Sequence, residues 1–233
     1  GGNAMHRGFH IGLCTLVLAI AISSIASAAD VKVPEAGQAG WVSLFDGKSL
    51  DGWHARSENR ENFWKAADGE LHNTGTGSDL ISDVKLGDHE LFVQFKSPRG
   101  GNSGVYLQGR YEVQVGDTAG RDVGKHICGA IYSQIAPTIN AALPIPEGEN
   151  ETPWQTFHIK FRSAERGAKG NIVEPARITV VHNGLLTIDN RPLEGPTGSA
   201  VDGDEGVAAG LMLQGDHTKM KYRNILYRPM PEE

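Results

Sequence analysis

The stretch from Gly100 to Asp117, G-G-N-S-G-V-Y-L-Q-G-R-Y-E-V-Q-V-G-D, constrains this chain more than any other. Gly100, Gly101 and Gly104 supply turn conformations that other residues resist. Val105 and Leu107 alternate with Tyr106 and Gln108, and after Gly109, Tyr111, Val113 and Val115 alternate with Glu112 and Gln114. Period two predicts a β-hairpin with one apolar and one polar face. The polar face carries Tyr106, Gln108, Glu112 and Gln114, groups suited to holding and attacking a sugar.

The same pattern recurs along the chain. Trp41–Phe45, Phe63–Ala66 with Glu70–His72, Leu80–Ser82, His89–Lys96, Trp154–Arg162, Ala176–His182, Leu185–Asp189, Gly206–Leu213 and Tyr222–Tyr227 read as short strands. Asp46-Gly47 and Asp68-Gly69 are turn signals, and Asn183-Gly184 predicts a type I′ hairpin turn. No segment sustains a 3.6-residue period, although Ile139–Leu143 is expected to form one helical turn. Many short strands with Gly and Asx turns predict an all-β fold, an antiparallel β-sandwich. The 30 glycines fit that turn density. Two long irregular stretches, Ser133–Pro153 and Pro192–Asp204, are candidate functional loops.

At the N-terminus, Gly1–Ala4 precede the first Met and read as an expression scar. His6 and Arg7, the apolar run Ile11–Ile22 and Ala26-Ser27-Ala28 then read as a bacterial-type signal peptide cleaved near Ala28. The apolar run is shorter than a membrane span needs. The expectation is therefore an exported protein, periplasmic or extracellular, with no membrane span in the mature chain. Residues 29–39 are an exposed lead-in, and residues 40–233 form one domain. With 22 Lys and Arg against 28 Asp and Glu, the net charge is −6 and no basic patch exists for nucleic acid. Beyond the leader only Cys128 remains, inside the apolar run Ile127–Ile131, and reads as a small core residue.

Five segments carry a resemblance: Leu44–Trp53 (L-F-D-G-K-S-L-D-G-W), Gly100–Leu107 with Tyr111–Val115, Trp154–Arg162, Val173–Gly184, and Leu213–His217 with Tyr222–Ile225. In this order they resemble the 3-keto-disaccharide hydrolase family. The resemblance implies a concanavalin A-like lectin/glucanase jelly roll acting on sugars oxidised at C3. One departure is visible: the last motif more usually reads Q-D-H-G, whereas here Gly215 precedes Asp216 and His217.

Glu112 and Gln114 lie two apart on one strand, roughly 6.5–7 Å apart on the same face. A bulge at Gly116 would return Asp117 to that face. Ordinary retaining hydrolysis needs two carboxyls about 5–5.5 Å apart, and an amide fills neither role. A 3-keto sugar offers another route, in which a base removes the acidified C2 hydrogen, the C1 substituent leaves, and water adds back. Glu112 is the candidate base, His217 the acid or proton shuttle, and Asp117 a third catalytic candidate. Asn102, Tyr106, Gln108, Gln114, His126, Gln214 and Arg223 are candidate substrate-binding residues. Each has a plainer role open to it: Glu112 a solvated strand face, His217 a loop histidine, Arg223 a sheet ion pair, Asn102 an Asx turn. Trp53, Trp64 and Trp154 read as core. No metal-ligand spacing joins the histidines, and Asp202–Glu205 reads as an acidic turn before a calcium loop. No cofactor is expected, with a divalent ion on the enolate left open. An oxidoreductase that makes the 3-keto group is the partner the chemistry calls for. A lectin-like module and a glucanase acting on unoxidised glycans are the alternative readings.

Overall fold

The computed structural model describes residues 1–2 and 31–231. The expected signal peptide therefore lies outside the described residues. Within them the chain forms strands and no helix. The strands are β1 (Val42–Ser43), β2 (Trp53–Ala55), β3 (Trp64–Ala67), β4 (Glu70–Asn73), β5 (Leu80–Ser82), β6 (His89–Lys96), β7 (Asn102–Leu107) and β8 (Tyr111–Gly116). After a long loop come β9 (Gln155–Arg162), β10 (Glu165–Arg166), β11 (Ile172–Glu174), β12 (Arg177–His182), β13 (Leu185–Pro192), β14 (Met212–Leu213) and β15 (Met220–Pro229).

Two antiparallel sheets face each other. The large sheet runs β13-β12-β9-β6-β15-β4-β3, with β1 added on β15, and the small one runs β2-β5-β14-β7-β8. The alternation explains the layering. Leu91, Val93 and Phe95 of β6 and Phe157, Ile159 and Phe161 of β9 point inward from the large sheet. They meet Leu80, Val105, Val113, Val115 and Leu213 of the small sheet in one core. Full burial of each such side chain contributes roughly 1.5–3 kcal/mol. This is the antiparallel sandwich expected from the pattern.

The Asn183-Gly184 turn has φ of 50° and 82°, the doubly left-handed geometry of the expected type I′ turn. The expected helical turn at 139–143 is not formed. The Asn140 side chain instead holds the carbonyls of Thr118 and Arg121, and Pro144 and Pro146 follow. Trp53 and Trp64 are core residues, whereas Trp154 lies partly exposed under the Arg223 guanidinium, 4.0 Å from its ring centre. Cys128 is fully buried, and burial pushes its thiol up to about 12. Its neighbour His182, 4.0 Å away, is held neutral by the same burial, pushed down to about 3. The lead-in is not wholly free of the fold: Val31 and Val33 pack against Trp41, Phe92 and Leu226 on the outer face of the large sheet.

Candidate active site

The site lies on the outer face of the small sheet. Register aligns Glu112 of β8 with Tyr106 of β7, Met212 of β14, Ile81 of β5 and His54 of β2. One pleat further along, Gln114 lies opposite Gly104, whose carbonyl accepts the Gln214 backbone N–H. Strand parity that sends Val113 and Val115 to the core sends Glu112 and Gln114 outward. Outward is not exposed here: Glu112 is 3% exposed and Tyr106 1%.

Two cover segments account for this. Along the outer edge of β8, Tyr132 N–H donates to the Glu112 carbonyl and Gln114 N–H to Ala130. Residues 194–201, within the second predicted irregular stretch, run over the face as a strap. Thr197 Oγ1 accepts the Glu112 N–H at 2.9 Å, and the Gly198 carbonyl accepts the Tyr106 hydroxyl at 3.1 Å.

Tyr106 also donates its hydroxyl to Glu112 Oε2 at 2.7 Å, and Gln214 Nε2 reaches that hydroxyl at 3.4 Å. Burial pushes the Glu112 carboxyl up. The Tyr106 hydrogen bond and the His217 charge pull it back, while the carboxylates of Asp216 and Asp79 push it up again, to about 7. Burial, reinforced by the Glu112 charge, raises Tyr106 well above the usual phenol range, so it stays a donor. Gly104 makes room for this pair. A Cβ there would sit 2.6 Å from Glu112 Oε1 and 2.8 Å from the Tyr106 ring, so only glycine fits.

His217 stands at the open end, its ring nitrogen Nδ1 paired with Asp216, whose other oxygen lies 3.5 Å from Arg60. Gly215 lets the turn pass: a Cβ there would lie 2.4 Å from the Ser78 carbonyl. Gln114 donates to Asn102 Oδ1 at 2.7 Å, and its own Oε1 is buried without a protein partner. The Asn102 backbone N–H is held by Thr218 Oγ1.

Glu112, Tyr106, Gln214, Gln114, Asn102 and His217 thus share one face. Other sequence-predicted residues lie apart. Gln108 sits in the hairpin turn with φ of 51°, which swings its amide away to Leu86 O and Ser163 Oγ. Arg223 belongs to the large sheet, where it bonds Gln94 and stacks on Trp154. Asp117 accepts the Gly100 N–H beyond the end of β8, and His126 pairs with Ser133 and leans edge-on against Tyr132. Arg56 and Asp79 escaped the sequence reading. Asp79 is 4% exposed and pairs with Arg56 at 3.1 Å. Their only signal was parity: Asp79 is two residues before Ile81, and Arg56 two after His54.

Among the described residues no group of three or more His, Cys, Asp or Glu side chains converges as metal ligands. The Asp202–Glu205 carboxylates are engaged by Arg110, Arg166 and Tyr111. A cavity of about 520 Å³ lies elsewhere, lined by Asp88, Arg162, Glu165, Glu174 and Arg177. It mixes charges without focusing them on a reactive group.

Against known proteins, the sequence profile of the 3-keto-alpha-glucoside-1,2-lyase-like domain matches residues 40–228. A 3-keto-disaccharide hydrolase of Bacteroides thetaiotaomicron is 33% identical over 94 residues, 36% of this chain and 32% of that protein. The chain thus matches about a third of that relative's length. A crystal structure of a candidate glycosyl hydrolase from Parabacteroides distasonis superposes with a TM-score of 0.65 at 26% identity, covering 82% of this chain and 84% of that one. A second from the same organism gives 0.58 at 15% identity, covering 82% and 94%, a likeness of fold alone.

Proposed function

The chain belongs to the 3-keto-alpha-glucoside-1,2-lyase-like family, and from that premise we propose that it is a carbohydrate-active enzyme cleaving the glycosidic bond of 3-keto-glycosides. The observation that carries this reading is one buried carboxyl, Glu112, tuned to about 7 beside a tyrosine donor and a histidine. A base near neutrality is what removal of a ketone-acidified proton asks for.

In the proposed reaction Glu112 takes the C2 hydrogen, and the C2–H electrons form the enolate of the C3 ketone. As the enolate collapses, the double bond moves to C1–C2 and the C1–O bond breaks. The aglycone oxygen leaves with a proton from His217. Water then adds across C1–C2 to give the free 3-keto sugar. Gln214 donates toward the developing oxyanion, while the Tyr106 hydroxyl holds the base, Glu112. A second carboxyl is not needed, which fits an amide at position 114.

The substrate must first be oxidised at C3, so a glycoside 3-oxidoreductase acts upstream. The leader-like segment 5–28 supports export to the periplasm or beyond.

The test is release of a chromogenic aglycone from a 3-keto-glucoside, with the unoxidised glucoside as control. Turnover of the keto substrate alone is expected, with a rate that climbs with pH on a limb centred near 7. Turnover of the unoxidised glucoside would point to ordinary hydrolysis. Glycan binding without turnover of either would point to a lectin.

A further inference from the structure

The strap over the small sheet is tied down at both edges of that sheet. At the β8 edge, Thr197 N–H donates to Arg110 and Val201 N–H to Gly109, while Thr197 Oγ1 takes the Glu112 N–H. At the β2 edge, Arg56 donates to the carbonyls of Ser199 at 2.7 Å and Ala200 at 2.9 Å. These edge strands are four inter-strand spacings apart, so the strap and Arg56 together cross roughly 19 Å of sheet. Beneath them lie Tyr106 and Met212, 1% and 0% exposed although their side chains leave the sheet on its outer face.

Asp79 joins this crossing to the other side of the site. Its Oδ2 pairs with Arg56, and its Oδ1 accepts the Gly215 N–H at 2.9 Å. Gly215 begins the turn that carries Asp216 and His217. One ion pair, with Asp79 buried and Arg56 partly exposed, therefore anchors both the strap and the histidine turn. The two ends of the face differ accordingly: the Tyr106–Met212 end is roofed, while the Asn102, Asp216 and His217 end meets solvent.

We propose that the Arg56–Asp79 pair is a clasp that holds the strap closed across one end of the cleft, so that the oxidised sugar is accepted only as a terminal ring. The proposal rests on the reading of Glu112 and His217 given above. With Glu112 at C2 and His217 at the departing C1 oxygen, the aglycone points to the open end. The far side of the ring, at C4, then points at the strap, which leaves no path for a further sugar. Arg56 and Asp79 are positioning residues: they act through the strap and the Gly215 turn.

The experiment compares two chromogenic 3-keto-glucosides, one with the oxidised ring terminal and one carrying a second sugar at O4 of that ring. Wild type is expected to favour the terminal form by roughly 100-fold in kcat/KM, a pocket-wall discrimination. Arg56→Ala should narrow this ratio several-fold by raising turnover of the extended form, and Arg56→Lys should fall between. Hydrogen exchange supplies a readout that needs no turnover. Arg56→Ala should speed exchange at Val201 and Thr197 and spare Gly215, whereas Asp79→Ala should speed all three. Retained protection in β6 and β9 shows that each variant is folded.

Equal cleavage of both glycosides by wild type overturns terminal-ring selection while leaving the enzymatic reading intact. Cleavage of neither overturns both, and exchange still decides the clasp. Unchanged exchange at Val201 and Thr197 in folded Arg56→Ala overturns the clasp itself.

Discussion

Glu90 and Glu112 are both buried glutamates on outward faces, one on each sheet, 6% and 3% exposed. Each has a histidine nearby, yet their carboxyls shift in opposite directions. Burial pushes Glu90 up, but hydrogen bonds from Arg228 and His158, at 2.8 Å and 2.7 Å, outweigh it and hold the group below the usual carboxylate range. Glu112 receives one neutral hydroxyl and a histidine charge, against two neighbouring carboxylates. The partner set, not burial alone, decides the direction in which each carboxyl shifts. The large sheet spends its outward polar groups in pairs such as Glu90–Arg228 and Arg223–Gln94. The small sheet leaves one carboxyl under-compensated.

The comparison breaks most sharply at Glu112 itself. Glu112→Gln should lower kcat/KM by about 10³-fold with the fold retained, as loss of a general base does. Activity within tenfold of wild type would remove Glu112 from the chemistry. Gly104→Ala comes next, since its methyl group collides with Glu112 and the Tyr106 ring. A loss of about 10²-fold is expected from the displaced base, and Gly104→Ala with wild-type kinetics would show that the pair tolerates movement.

Stability against pH sharpens the contrast further. The folded value of Glu112 lies above its ordinary value of 4.5, so the native state binds that proton more tightly. Its contribution is full below about 4.5 and is lost as pH rises through about 7, a swing of roughly 3 kcal/mol. Glu90 has the opposite sign: its contribution is present above its ordinary value and is lost as pH falls through the lowered folded value. Denaturant midpoints between pH 4 and 8 should show Glu112→Gln gaining on wild type as pH rises. A pH-independent difference would refute the sign. The smallest effect belongs to Glu90→Gln, whose partners Arg228 and His158 are about a third exposed. It should cost about 1 kcal/mol and leave kcat/KM within twofold, which a thermal melt and one kinetic assay check.

The regular parts of the fold were legible because strand parity is a local property. The β7–β8 hairpin and the shared face of Glu112 and Gln114 follow from alternation alone. What was not legible depended on turns and sheet assignment. Gln108 has the right parity, but a positive φ at the turn redirects it. Arg223 lies on a strand whose register shifts between Arg223 and Leu226, in the opposite sheet, which no local pattern announces. Arg56 and Asp79 flank strands of three residues, too short to show a period. The irregular stretch 192–204 could be flagged as a loop of consequence, but its path over β7 and β14 needs the tertiary structure.

Cys128 turns burial into a clock. Its thiol is fully enclosed and held protonated, so alkylating reagents reach it only through an opening of the core. The rate of mass gain on the peptide that contains it, under native conditions, therefore reports how often this sandwich breathes. The same peptide in saturating sugar would report how much ligand slows that breathing, with no substrate turnover required.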